Sequence, residues 1–307
     1  MKDILTYLFE GNHLNREKAK DVLIAVGNGS HSEVELASLL TVYRMRSVSP
    51  EELAGFREAM LELCLAIDLS AYNAIDIVGT GGDGKNTFNI STLASFIIAG
   101  AGYKVTKHGN YAVSSTSGSS NVLEYLGYKF SNDKAKLETN LEKAGICFLH
   151  APLFHPAMKH IAPVRKALKV KTFFNILGPM INPSFPKYQL IGVYNLEVFN
   201  LYKEVYKSSG IYYNIINSLD GYDEISLTDN IRCASNTSEE ILSPADFGFQ
   251  NITPNELYGG NKVEDAAKIF TEILSGNGTA AQNNVVIANA AIGIKCIETE
   301  KEILECV

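Results

Sequence analysis

The sequence has no C-x-x-C pair, no long unbroken apolar run and no excess of basic residues. Each absence removes a class of protein. The five cysteines, Cys64, Cys147, Cys233, Cys296 and Cys306, are widely dispersed and odd in number, which argues against a disulfide framework and against a zinc ribbon. Lys and Arg number 27 against 34 Asp and Glu, a formal net charge of -7. Tight sequence-independent binding to nucleic acid or to an anionic membrane is therefore not expected. The most apolar stretches, around Phe96 to Ala101 and Val285 to Ile294, are broken by Gly or Asn and are too short to span a bilayer. The start, Met1-Lys2-Asp3-Ile4-Leu5-Thr6, lacks a basic segment followed by an apolar one, so no signal peptide is expected and the chain reads as cytosolic. No internal repeat or disordered tail stands out.

What is present is an ordinary globular composition, 46% hydrophobic and 20% charged over 307 residues, enough for one large domain or two modest ones. Residues 1–70 carry helical signals and no convincing strand. Ser49-Pro50-Glu51-Glu52 predicts a helix start, with Ser49 as cap, Pro50 in the first turn and Glu52 completing a capping box. Leu53, Phe56, Met60, Leu63, Leu65 and Ile67 follow at near-helical period. Residues 15–26 and 32–45 look similar.

The texture changes at Ala74-Ile75-Asp76-Ile77-Val78, a short strand-like run ending in glycines. Further strands are expected over 104–106, 146–149, 188–194 and 212–217. Helices are expected over 90–101, 121–126, 137–144, 196–206 and 263–274. This alternation predicts an α/β domain with a largely parallel sheet, whose ligands bind at the carboxyl ends of the strands.

Gly79-Thr80-Gly81-Gly82-Asp83-Gly84 follows the first strand and leads through Thr87, Asn89, Ile90, Ser91 and Thr92 into a helix. Backbone N–H groups of such a turn form an anion site, and the hydroxyls and amide add donors for phosphate or metal. Gly79, Gly81 and Gly84 also spell the dinucleotide fingerprint, but that pattern wants an acid about 20 residues on to hold a ribose hydroxyl. None exists between Asp83 and Glu124. A turn serving only packing remains the plain alternative. The missing acids carry information of their own. Spread evenly, 34 acids in 307 residues would put about four into 84–123, which instead holds Lys85, Lys104, Lys107 and His108. In an acidic protein such a stretch fits a site for a polyanion. The next strand runs into Lys107-His108-Gly109-Asn110-Tyr111 and a Ser/Gly segment, 112–120. Composition alone allows a flexible linker, yet it is short and wedged between a strand and a helix.

Together these segments resemble the anthranilate phosphoribosyltransferase family, whose members join the ribose phosphate of phosphoribosyl pyrophosphate (PRPP) to the amine of anthranilate. The resemblance is carried by Gly79-Thr80-Gly81-Gly82-Asp83, Asn89-Ile90-Ser91-Thr92, Lys107-His108-Gly109-Asn110, Ser114-Ser115-x-Ser117-Gly118-Ser119, Phe154-His155-Pro156-Ala157-Met158, Ala162-Pro163-Val164-Arg165, Phe174-Asn175-Ile176-Leu177-Gly178-Pro179 and Asp223-Glu224, in order and over nearly the whole chain. It implies a helical domain, 1–70 joined by a later helical segment near 165–185, and an α/β PRPP-binding domain, 71–307, with a homodimer through the helical part. It implies that Gly79, Gly82, Asp83, Thr87, Asn89, Ile90, Ser91, Thr92, Lys107, Ser115 and Ser119 hold PRPP. Gly79, Asn110 and Arg165 would contact anthranilate, while Ser91, Asp223 and Glu224 would bind Mg2+, two ions per site. Departures from the family are Tyr111 and Thr116, where Arg and Lys are frequent, Ser120-Asn121 in place of Ala-Asp, and an end at Cys306-Val307 where relatives carry further helix.

The chemistry suits these residues. Displacing pyrophosphate from the ribose builds positive charge on the sugar and negative charge on the leaving group, so the protein mainly positions and neutralises. Adjacent carboxylates suit Mg2+, although Asp223-Glu224 alone could equally be a solvated acidic turn. The aromatic amine is uncharged at neutral pH, so no covalent nucleophile and no strong base are expected. His108 either assists or shapes its loop. Arg165 matches the substrate carboxylate, or is a surface arginine beside Lys159, Lys166 and Lys169. His150, His155 and His160 are spaced by five and do not stack on one helical face, which disfavours zinc. Three rivals are a pyrimidine nucleoside phosphorylase of similar plan, a non-catalytic nucleic-acid-binding paralogue and an NAD-dependent enzyme. The first needs neither the acidic pair nor the Arg165 motif, and the second should show a basic face.

Overall fold

The computed structural model describes residues 1–112 and 117–307. In chain order the α-helices are α1 (Lys2–Phe9), α2 (Arg16–Gly27), α3 (Glu33–Met45), α4 (Pro50–Glu62), α5 (Ile90–Gly100), α6 (Ser119–Tyr125), α7 (Lys134–Ala144), α8 (Ala151–Phe154), α9 (Met158–Leu168), α10 (Phe174–Leu177), α11 (Leu196–Tyr206), α12 (Val263–Leu274), α13 (Ala280–Ile297) and α14 (Ile303–Cys306). The strands are β1 (Ile75–Gly79), β2 (Val105–Gly109), β3 (Ile146–His150), β4 (Tyr188–Gly192), β5 (Tyr212–Ser218), β6 (Ile231–Ser235) and β7 (Glu239–Leu242).

These elements form two compact units, Met1–Ala66 with Pro152–Pro183, and Ile67–Ala151 with Ser184–Val307. The first is helical. Its capping is local and legible: Ser32 with Glu35 and Ser49 with Glu52 each close a capping box. Its core is aromatic. Phe56 stacks on Phe173 at 4.5 Å, Phe173 on Phe174 at 4.4 Å, and Tyr43 meets Phe56 edge-on at 5.3 Å. The returning segment begins well before residue 165, because α9 already packs on α2 and α3.

The second unit is a seven-stranded sheet ordered β3-β2-β1-β4-β5-β6-β7. Strands β1 to β5 run parallel, and β6 and β7 are antiparallel additions at one edge. Neither β6 nor β7 was expected from sequence, nor was α13 as a helix. β7 has three exposed residues out of four and so no apolar signature. In α13 the apolar residues go almost all round, and such a buried helix lacks the one-sided periodicity that sequence reading depends on. Ile75, Ile77 and Leu190 from the sheet, with Leu93 and Ile98 of α5 and Val285 and Ile292 of α13, lie in one core.

The order of the sheet matters for function. From β1 the chain moves outward to β2 and β3, then returns to place β4 on the other side of β1. Past that switch, the carboxyl ends of β1 and β4 leave a crevice where ligands of open α/β sheets bind. β1 and β4 stay in register to their ends, Gly79 opposite Gly192. By contrast, β1 and β2 share only the pair Ile75↔Val105. Beyond it side chains replace the ladder: Asp76 Oδ1 accepts the His108 N–H at 3.0 Å and Lys107 Nζ donates to the Ile77 carbonyl.

Candidate active site

The glycine turn after β1 is built as its composition demands. Gly81, Gly82 and Gly84 have φ of +64°, +76° and +76°, conformations that side-chain-bearing residues rarely hold. Its far side is tied to a distant segment: Asn86 Nδ2 donates to Gly260 O at 2.8 Å, Gly259 N to Asn86 O at 2.9 Å, and Thr87 bridges to Tyr258.

Facing the turn are Asp223 and Glu224, on the excursion between β5 and β6. The Gly81 N–H donates to Asp223 Oδ2 at 2.6 Å and the Ser91 N–H, in the first turn of α5, donates to Glu224 Oε1 at 2.9 Å. The anion held here is thus the protein's own. Two glycines make the approach possible, since a Cβ on Gly79 would lie 2.3 Å from Asp223 Oδ2 and one on Gly192 only 1.5 Å from the Asp223 carbonyl oxygen.

The charge on this cluster is uncomfortable. Burial, with Glu224 and Asp83 close by, pushes Asp223 well above the usual carboxylate range. Burial pushes Glu224 up to about 7, Asp83 adding to it while the Ser91 N–H and Lys107 oppose it. Burial raises Asp83 as well. Lys107 is itself buried, which lowers it to about 8 against the pull of Asp76 and Glu224. Acids crowded together and wholly or half buried, opposed by Lys85 and by a weakened Lys107, form a place that favours a cation. Thr80 Oγ1, Asn89 Oδ1 and Ser117 Oγ are also buried and find no hydrogen-bond partner among the described residues.

The segment after β2 frames the same side. Asn121 Oδ1 accepts from Ala112 N at 2.9 Å and from Gly118 N at 3.0 Å, so one amide oxygen holds both residues. Ser119 opens α6 and its hydroxyl points to Asn110 O at 3.4 Å. Asn89 Nδ2 reaches Ser117 O at 3.1 Å.

A family model described as "Glycosyl transferase family, a/b domain" matches residues 71–307, and "Glycosyl transferase family, helical bundle domain" matches residues 2–64. An anthranilate phosphoribosyltransferase of Flavobacterium psychrophilum is 59% identical over 97% of this chain and 90% of its own length. One of Bacteroides fragilis is 52% identical over 100% of this chain and 93% of its own. This chain belongs to the anthranilate phosphoribosyltransferase family. Among solved structures, the family member from Thermus thermophilus superimposes with a TM-score of 0.91 at 33% identity, over 98% of this chain and 91% of that one. The Saccharomyces cerevisiae enzyme in complex with PRPP and Mg gives 0.89 at 26% identity, over 98% and 90%.

For a phosphoribosyltransferase of this family, the structure gathers most of the residues that the motifs singled out. Gly79, Gly82, Asp83, Thr87, Asn89, Ser91, Asp223 and Glu224 stand on the turn, the start of α5 and the acidic loop. Thr92 is buried within α5. Ile90 is wholly buried and its N–H already donates to Phe88 O at 2.7 Å, so it offers a ligand no free side chain. Lys107 and His108 are buried at the end of β2, and Asn110 follows as an exposed residue. Ser115 lies outside the described residues. Arg165, on α9, belongs to the helical unit: its Nη2 lies 3.4 Å from Asn175 Oδ1 and its guanidinium 5.4 Å from the Phe174 ring centroid. Burial lowers its affinity for a proton. His150 sits in the α/β unit, His155 and His160 in the helical one. Motif reading missed Asp76, Gly192, Asn121 and Asn289. Asp76 and Asn289 were detectable as polar residues inside apolar runs.

Proposed function

We propose that this chain transfers the 5-phosphoribosyl group of PRPP to the amine of anthranilate, giving N-(5-phosphoribosyl)anthranilate and pyrophosphate, a step of tryptophan biosynthesis. The observation that carries this reading is the union of the glycine turn with Asp223-Glu224, 142 residues apart between Gly81 and Asp223, in one strand-end crevice. Its relatives bear that activity in their names, and the yeast relative was solved with PRPP and Mg.

The residues fit Mg2+, which takes oxygen ligands and is commonly held by one or two carboxylates plus substrate phosphates and water. Among the described residues no three His, Cys, Asp or Glu form a ready cage, so substrate oxygens would have to complete the sphere. Asp223, Glu224 and the Ser91 hydroxyl would hold the metal, two ions per site. Bound there, Mg2+ neutralises charge on the pyrophosphate leaving group.

The chain's own groups do the rest. Gly79, Gly82, Asp83, Thr87, Asn89, Thr92, Lys107, Ser115 and Ser119 orient PRPP, with the buried Ile90 anchoring the start of α5 among them. Arg165, a partly buried guanidinium with no acidic partner among the described residues, takes the anthranilate carboxylate as a fork, with Asn110 and Gly79 as further anthranilate contacts and His108 shaping or assisting. The amine lone pair forms the bond to C1 of the ribose as the C1–O bond breaks, its electron pair leaves with pyrophosphate, and the surplus amine proton passes to solvent. Orientation and charge neutralisation supply the rate. The protein works as a cytoplasmic homodimer in this reading.

The test is to mix protein, PRPP, Mg2+ and anthranilate and follow the loss of anthranilate fluorescence. Turnover should vanish with EDTA and fall steeply in Asp223→Asn and Glu224→Gln. Absence of turnover in the wild-type protein, or phosphorolysis of a pyrimidine nucleoside in its place, would refute the assignment.

A further inference from the structure

The interior of α13 holds one polar side chain that its surroundings do not ask for. Asn289 is 2% exposed and flanked by Ala288, Ala290, Ala291 and Ile292, all buried. Its amide is fully engaged. Oδ1 accepts the Ile225 N–H at 3.0 Å, while Nδ2 donates to the Ile225 carbonyl at 2.8 Å and to Val285 O, one turn back, at 2.8 Å. One side chain thus bonds both backbone groups of a single residue, as a partner strand does in a hydrogen-bonded pair. Ile225 directly follows Asp223-Glu224. From β5, Ser218 Oγ donates to the Glu224 carbonyl at 2.7 Å. Consecutive residues of the acidic loop are therefore pinned by side chains from two rigid elements.

We infer that Asn289 is a positioning residue for the acidic pair: it fixes the Ile225 backbone so that Asp223 and Glu224 face the glycine turn in the arrangement a divalent cation requires. The inference rests on the proposed role of that pair in metal and PRPP binding. Carboxylates that repel each other and are buried will swing apart unless their backbone is held. The loop has no regular structure between Leu219 and Asn230 to hold it, and loop geometry otherwise drifts. Groups behind metal ligands typically change affinity or activity by about 10–100-fold when removed.

The test separates positioning from plain packing. Mn2+ binding in the presence of PRPP is read by the EPR signal of free Mn2+, beside thermal unfolding and turnover, for wild type, Asn289→Ala, Ser218→Ala and Ile292→Ala. Ile292 is as buried as Asn289 and on the same helix, so its truncation lowers the melting temperature while both Asn289 hydrogen bonds to Ile225 remain. Asn289→Ala should weaken Mn2+ binding about tenfold or more and raise the Mg2+ concentration needed for half-maximal turnover, with partial rescue by excess Mg2+. Ser218→Ala should shift both in the same direction by less, and it carries the test if Asn289→Ala does not fold. Ile292→Ala should leave Mn2+ binding within twofold. Metal binding equal to wild type in Asn289→Ala, or in a folded Ser218→Ala standing in for it, would reduce Asn289 to a core residue and overturn the inference. Wild-type protein that binds no Mn2+ and turns over no anthranilate would overturn the functional reading and this inference with it.

Discussion

Glu52 in the helical unit gives the most direct quantitative test of the structure. It is wholly buried, yet its carboxylate accepts from Leu14 N at 3.0 Å, Ser49 N at 2.9 Å, Tyr43 Oη at 3.0 Å and both ends of the Arg46 fork at 2.6 and 3.1 Å, with the His13 ring at 3.0 Å. Burial alone would raise its pKa. The Arg46, Ser49, His13 and Leu14 hydrogen bonds outweigh it and hold the group at about 2, against an ordinary 4.5. A folded pKa below the unfolded one means stability that is complete above about 4.5 and is lost as pH falls toward about 2. At about 1.4 kcal/mol per decade, that interval corresponds to about 3 kcal/mol.

Glu52→Gln keeps the shape, removes the charge and places an amide donor among converging donors. Breaking a buried pair from one side costs about 3–5 kcal/mol, which agrees with the figure from titration. Urea unfolding followed by far-UV circular dichroism is the assay, the chain having no tryptophan. At pH 7 the variant should be less stable by about 3 kcal/mol. The gap between it and wild type should persist to about pH 5 and narrow steadily below that. A gap under about 1 kcal/mol at pH 7, or one that stays constant down to pH 3, would refute the account of Glu52 as a charge stabilised by its partners.

Three further outcomes concern the candidate site. Gly192→Ala puts a methyl carbon 1.5 Å from the Asp223 carbonyl oxygen, so the acidic loop must shift. Turnover should drop about 100-fold with the far-UV spectrum preserved, and activity within threefold of wild type would contradict the close approach. Arg165→Lys keeps the charge but loses the fork, and should raise the KM for anthranilate about tenfold while leaving that for PRPP steady. Steady-state kinetics with each substrate varied in turn will tell. Asn121→Leu removes the acceptor that joins Ala112 and Gly118; it should raise the KM for PRPP roughly fivefold (about 1 kcal/mol of lost positioning), whereas Asn121→Asp, which still accepts both bonds, should match wild type.

The fold was legible where local physics decides it. Ser32 and Ser49 announce their helices through capping boxes that need only four residues, and β1 shows itself by Ile75 and Ile77 running into glycines that admit positive φ. The edge strand β7 was not legible, because an edge needs little apolar character, and three of its four residues are exposed. Among site residues, the turn and the acidic pair could be named singly, but no local signal joins them. What joins them is a glycine on β4, a serine on β5 and an asparagine on α13, each of which means nothing until its partner arrives.

The acid-poor stretch from 84 to 123 acquires a physical reason at the same point. Its turn was expected to offer backbone N–H groups to a phosphate, but the Gly81 and Ser91 N–H groups already bind Asp223 and Glu224. The negative charge of this corner is supplied from outside the stretch, at carboxylates that burial and mutual repulsion hold above their ordinary affinity for protons. A further acid in the glycine turn itself would add to that repulsion. By the same reasoning, a pyrophosphate can settle beside these carboxylates only if a divalent cation stands between the two like charges. Metal and phosphoribosyl substrate should therefore bind this protein cooperatively, each weakly without the other. Calorimetric titration of PRPP with and without Mg2+ measures that coupling, and equal PRPP affinity in the two conditions would break the link between the acidic pair and the substrate.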